Sequence, residues 1–115
     1  MASRFDVPPK KKANDVIGSV EFRKFLDQIP QNDPRKKEFL EAFKILKEDC
    51  LRGNKIPHDR WPPTYIRKYR IKNLWRYPLR SGWRLVYTVL GQKDGFVVCV
   101  LESFSHQEYE KRFGY

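Results

Sequence analysis

The sequence is poor in the residues that build metal sites and cross-links. Its 115 residues include only two cysteines, Cys50 and Cys99, and two histidines, His58 and His106. These four are too scattered to match any zinc-ligand spacing, so neither a metal nor another cofactor is expected. Cys50 falls in a helical pattern and Cys99 in a strand pattern, where each reads as a small apolar residue. No apolar run approaches the roughly 20 residues of a membrane span. The N-terminal lysines are not followed by the apolar segment of a signal peptide. A cytoplasmic protein without membrane contact is expected. One further lack is local: between Arg60 and Lys93 there are nine basic residues and no acidic one.

What is present is enough for one packed core. Hydrophobic residues make up 40% of the chain and aromatics 15%, at a length that suits a single domain. The net charge is +10, and residues 13–59 mix both signs. The acid-free block therefore points to an anionic partner, nucleic acid first. A generally basic, solvated surface is the plainer alternative.

Residues 1–15, with Pro8-Pro9-Lys10-Lys11-Lys12, read as a flexible basic arm in which Arg4–Val7 could add a short edge strand. Residues 16–115 then form the domain. Phe22, Phe25, Leu26 and Ile29 make one stripe of a helix over 16–29, ended by Pro30. Asp33 reads as an N-cap and Pro34 as the first residue of a second helix. That helix runs to about Arg52, with Phe39, Phe43, Leu46 and Cys50 on one face and Gly53 as its stop. The short link makes the two an antiparallel hairpin. A loop with three prolines and a helical turn at Thr64–Tyr69 follow.

Two aromatic and β-branched segments, Asn73–Leu79 and Trp83–Leu90, then flank a Ser81-Gly82 turn, and a third run, Phe96–Phe104, follows Asp94-Gly95. This is an antiparallel meander. Alternation sets Arg84, Val86 and Thr88 opposite Trp83, Leu85, Tyr87 and Val89. Ser105 with Glu108 three residues on is a capping box for a short C-terminal helix ending at Phe113. The expected fold is α+β, with the helical hairpin on one sheet face and the arginine-bearing face open.

The order of helix, helix and meander, with Gly82-Trp83-Arg84-Leu85-Val86-Tyr87 on a central strand and His106-Gln107-Glu108-Tyr109 after the last one, resembles the RelE/ParE toxin superfamily of type II toxin–antitoxin systems. The resemblance covers roughly residues 16–113. For a RelE-like member it implies a ribosome-dependent, metal-independent mRNA endoribonuclease. A cognate antitoxin, the ribosome and mRNA would be its partners. Arg84 matches the arginine of the strand motif, and Arg76 on the neighbouring strand would make a second phosphate contact. His106 would move protons, and Tyr109 would stack on a base or orient the phosphate. Arg70, Lys72 and Arg80 are candidates for the RNA backbone. The family's upstream lysine or glutamate matches no single position here; Lys55, His58 and Arg60 lie near where it would fall.

Each residue also has a plainer reading. Arg84 would pair with Glu102 or Glu108, His106 would cap the helix, and Tyr109 with Phe113 would be core. A ParE-like gyrase inhibitor that cleaves nothing, or an idle RNA- or ribosome-binding module, are the rival functions.

Overall fold

The computed structural model describes residues 10–114. Among them are four α-helices and a five-stranded mixed sheet, an α+β fold. The expected edge strand at Arg4–Val7 lies outside the described residues. From Lys11 onward the chain is held down. Ala13 is buried and donates its N–H to Lys47, and Cys50 donates to the Lys11 carbonyl.

The first helix, α1, spans Val20–Gln28 rather than starting at Val16. Ser19 is its cap: Oγ accepts from the Phe22 N–H at 3.0 Å and donates to the Leu101 carbonyl at 2.6 Å. One hydroxyl thus starts the helix and ties it to the sheet. Residues before it, Asp15–Gly18, form strand β1, parallel to the last strand with Ile17 opposite Cys99. The β-branched pair Val16-Ile17 satisfies a sheet edge there, which a helix could not do.

Helix α2 spans Pro34–Glu48, with Asp33 accepting from the Arg35 N–H at 2.9 Å and Pro34 in the first turn, as the pattern predicts. Its end comes earlier than Arg52. Asp49 turns extended, and its carboxylate accepts from the Leu51 N–H at 3.2 Å. Gly53 is therefore not the helix stop. It is where the backbone passes over Tyr87, donating its N–H to the phenol oxygen at 3.0 Å. Strand β2, Asn54–Lys55, follows, then a 3₁₀ turn at His58–Arg60 and helix α3, Pro63–Tyr69.

The meander comprises β3 (Trp75–Pro78), β4 (Arg84–Gln92) and β5 (Gly95–Phe104), in the sheet order β1-β5-β4-β3-β2. Gly82 closes the first hairpin at φ +92° and Gly95 the second at +141°, values that favour glycine. Between β4 and β5 the register slips by one residue. Val86 faces Glu102 while Tyr87 faces Val100, leaving Leu101 as an extra residue in a β-bulge. The bulge inverts the alternation along β5. Val98 and Val100 point to one face, whereas Leu101, Glu102 and Phe104 serve the other.

Both faces carry a core. On one, Leu85, Tyr87, Val89, Val98 and Val100 pack with Phe22, Ile29, Phe39, Ala42 and Leu46. On the other, Val86, Leu101 and Phe104 pack with Ile56, Tyr65, Ile71, Leu74, Tyr109 and Phe113. The expectation of an open second face is thus corrected. Helix α3 and the C-terminal helix α4, His106–Phe113, cover it, because each places buried aromatics there, Tyr65 from the first and Tyr109 and Phe113 from the second. Burying one such side chain stabilises by about 1.5–3 kcal/mol. Among the described residues, no helix is long and apolar enough to cross a membrane.

Candidate functional site

The uncovered part of that second face is the corner where β4 begins and β5 ends. Arg84 opens β4 opposite Phe104. One residue later Ser105 caps α4, its Oγ accepting from the Glu108 N–H at 3.2 Å. His106, the first residue of α4, therefore emerges beside Arg84. The guanidinium Nη2 lies 3.1 Å from His106 Nδ1, and Nη1 donates to the Gly82 carbonyl at 2.7 Å. The turn glycine's carbonyl thus holds the arginine against its own hairpin.

Arg76 and Tyr109 meet one step inward. Arg76 stands opposite Val86 on the strand that neighbours β4, two residues from the Pro78–Arg84 pair, so both arginines share a face. Tyr109 is nearly one turn after His106. Arg76 Nη1 donates to the Tyr109 hydroxyl at 3.0 Å, and the guanidinium carbon sits 5.5 Å from the ring centre. The ring itself is core, only 2% exposed and stacked on Phe113 at 4.7 Å. The core reading describes the ring, which has no open face on which a base could stack, while the hydroxyl lies at the pocket.

Together with Asn54, Pro78 and Glu110, these four side chains line a cavity of about 260 Å³. That is just below the span of about 300–1,000 Å³ typical of small-molecule sites. Asn54 enters because β2 pairs with β3 there, opposite Arg76. Glu110 enters from the helix, four residues after His106, with Oε1 at 2.7 Å from Nε2. Neither was singled out from sequence. The i,i+4 spacing of His106 and Glu110 is the signal that could have found the second. Asn54 offers none, since only the β2–β3 pairing brings it in.

The structure brings Arg84, His106, Arg76 and Tyr109 together and leaves the other three basic candidates elsewhere. Arg80 forms an ion pair with Glu41 of α2. Arg70 and Lys72 are exposed between α3 and β3, near the level of the Asn73–Val89 contact. That level is about 16 Å along the sheet from Arg84, taking ~3.3 Å per residue. The acid-free block is also less uniform in space than in sequence, because Lys68 pairs with Glu21 at 2.8 Å. Arg84 contacts His106 and its own turn rather than Glu102 or Glu108. Those carboxylates accept from Tyr69 and Arg112.

Two guanidinium forks and an imidazole in one cleft can bind a phosphate and move a proton beside it. Neither cysteine lines this cleft, and burial pushes both the Cys50 and Cys99 thiols up from the ordinary value. Among the described residues, no three His, Cys, Asp or Glu side chains gather as a metal site would require. Comparison of the chain with family models, with curated proteins and with solved structures gave no match.

Proposed function

We propose that this chain is a RelE-like toxin of a type II toxin–antitoxin system, a ribosome-dependent and metal-independent mRNA endoribonuclease. The observation that carries this reading is the 3.1 Å contact of Arg84 with His106 in a cleft shared with Arg76 and the Tyr109 hydroxyl. RNA carries its own nucleophile, the 2′-hydroxyl, so the protein needs only a base, an acid and cations. A purely binding toxin such as a gyrase inhibitor has no use for a histidine held against an arginine. The arrangement of α1 and α2 as an antiparallel hairpin on one sheet face, with α4 at the sheet end, belongs to the same reading.

The step proceeds as follows. The scissile phosphate lies between Arg84 and Arg76, and the Arg84 fork leaves His106 for the phosphate oxygens. His106 Nδ1 takes the 2′-hydroxyl proton as the 2′-oxygen bonds to phosphorus. The bond from phosphorus to the 5′-oxygen breaks, and its electron pair stays on that oxygen, which takes a proton from the Tyr109 hydroxyl. The products are a 2′,3′-cyclic phosphate and a 5′-hydroxyl. Solvent then removes the proton from His106 and restores the one lost by Tyr109.

In this reading the ribosome presents the codon, and a cognate antitoxin in the same cytoplasm covers the basic cleft. The test is incubation of the purified protein with a defined mRNA, with and without translating ribosomes, beside a gyrase supercoiling assay. Cleavage confined to ribosome-bound message with supercoiling untouched supports the proposal. Inhibited supercoiling without RNA cleavage would overturn it in favour of a ParE-like toxin. Binding to ribosomes without cleavage would overturn it in favour of an idle module.

A further inference from the structure

His106 sits between two groups that each leave it a single choice. A guanidinium has donors only, so Nδ1, 3.1 Å from Arg84 Nη2, is the accepting nitrogen. A carboxylate has acceptors only, so Nε2, 2.7 Å from Glu110 Oε1, carries the hydrogen. Both neighbours select the same tautomer and aim the Nδ1 lone pair towards Arg84. Once Arg84 turns to a phosphate, only the carboxylate still specifies that tautomer.

Building on the ribonuclease reading, we infer that Glu110 is a positioning residue that keeps Nδ1 as the proton acceptor during RNA cleavage. It fixes the ring by its bond to Nε2–H, so the lone pair faces the incoming 2′-hydroxyl. When that proton reaches Nδ1, the imidazolium presents one N–H to the 2′-oxygen and one to the Glu110 carboxylate. The negative charge then faces the positive ring as it forms, the same division of labour as between the acid and the histidine of a hydrolytic triad. Helix geometry supplies the placement. Positions 106 and 110 are one turn apart on α4, and the Ser105 cap holds the first turn in register.

The neighbouring pair on the same helix provides a control. Glu108 meets Arg112 at the same i,i+4 spacing, 3.3 Å apart, and lines no part of the cleft. An exposed pair of this kind adds little to helix stability. A merely helix-stabilising Glu110 would therefore behave like Glu108.

The first readout needs no substrate. Side-chain ¹⁵N NMR of the full chain, at a pH where the rings are neutral, reports which nitrogen of His106 is protonated, with the His106→Ala spectrum separating it from His58. The Nε2–H form should dominate in Arg84→Ala, where Glu110 alone specifies it, and also when Glu110→Gln is added, whose amide oxygen still accepts. It should give way to a mixture when Glu110→Ala is added to Arg84→Ala. An unchanged tautomer in that double variant overturns the inference, whether or not the protein cuts RNA. The second readout is cleavage on ribosomes. Glu110→Ala should lower kcat about tenfold or more, inside the roughly 10²–10⁴-fold that acid–base help supplies, with KM unchanged and partial recovery in Glu110→Gln. In a His106→Ala background the same substitution should cost nothing further. An equal loss in that background, or the same loss from Glu108→Ala, would overturn it.

Discussion

The Arg84 guanidinium donates to Nδ1 of His106 across the junction of β4 and α4, at 3.1 Å. Twenty-one residues separate them in the chain, and one strand pair joins them in space. Arg84 faces Phe104, and the helix cap follows Phe104 at once. A guanidinium, which has donors only, thereby faces the Nδ1 lone pair. In the proposed reaction the phosphate would draw Arg84 away and uncover that nitrogen.

Arg84→Ala should therefore lower single-turnover cleavage by about 10²–10³-fold, the scale of a lost transition-state donor. Arg84→Lys should recover little of it, because an ammonium lacks the planar fork. Arg84 is half-exposed, so unfolding free energy should move by no more than about 0.5 kcal/mol. Denaturant titration alongside the cleavage assay checks both halves.

Tyr109 separates its two roles by substitution. Tyr109→Phe keeps the ring on Phe113 and removes the oxygen that faces Arg76. It should cost about 1 kcal/mol of stability and slow cleavage. Tyr109→Ala also empties the core and should cost about 3–5 kcal/mol. Comparing the two melting curves and the two cleavage rates distinguishes the hydroxyl from the ring.

Gly53 couples stability to the cleft. A Cβ at this position would lie 2.3 Å from the Arg76 carbonyl oxygen and 2.6 Å from the Tyr87 hydroxyl oxygen. The first is backbone of β3 and cannot swing aside. Gly53→Ala should destabilise by about 1–3 kcal/mol. It should also reduce cleavage, because the strand pushed away carries Arg76 and its partner strand carries Asn54. Urea unfolding and cleavage measured on the same preparation test the pairing of the two effects.

The Ser105 hydroxyl caps α4 through the Glu108 N–H. Ser105→Ala should cost about 1 kcal/mol, and Ser105→Asp should restore most of it. Since His106 sits in that first turn and Glu110 reaches back to it from the next, fraying there should also reduce cleavage. Thermal melts give the stability, and backbone hydrogen exchange at 106–109 gives the fraying.

The core helices, the hairpin turns and the α4 cap were legible in the sequence because each depends on residues close together in the chain. Asp33 before Pro34, the glycines after Ser81 and Asp94, and Ser105 before Glu108 are local signals. Arg84 and His106 stood out by residue type and motif. What was hidden depends on contacts between distant segments. Val16-Ile17 extended an apparent helix until β5 offered an edge, and the bulge at Leu101 has no local marker. Without that bulge Phe104 would point to the other face, so the second core could not be foreseen. Glu110 lies just beyond the His106-Gln107-Glu108-Tyr109 motif, although the turn of a helix brings it as well as Tyr109 within reach of His106. Arg80 has a partner that the sequence does not show, since Glu41 comes from another element.

The most direct measurement concerns the substrate. A translating ribosome would be given a message with one 2′-deoxynucleotide immediately 5′ to the cut phosphate, beside the all-ribose message. The account predicts cleavage of the ribose message to a 2′,3′-cyclic phosphate end and none at the deoxy position, with His106→Ala cutting the ribose message at least about a hundredfold more slowly. Equal cleavage of both messages would contradict it, because the nucleophile would then not be the 2′-hydroxyl and His106 would have no proton there to take.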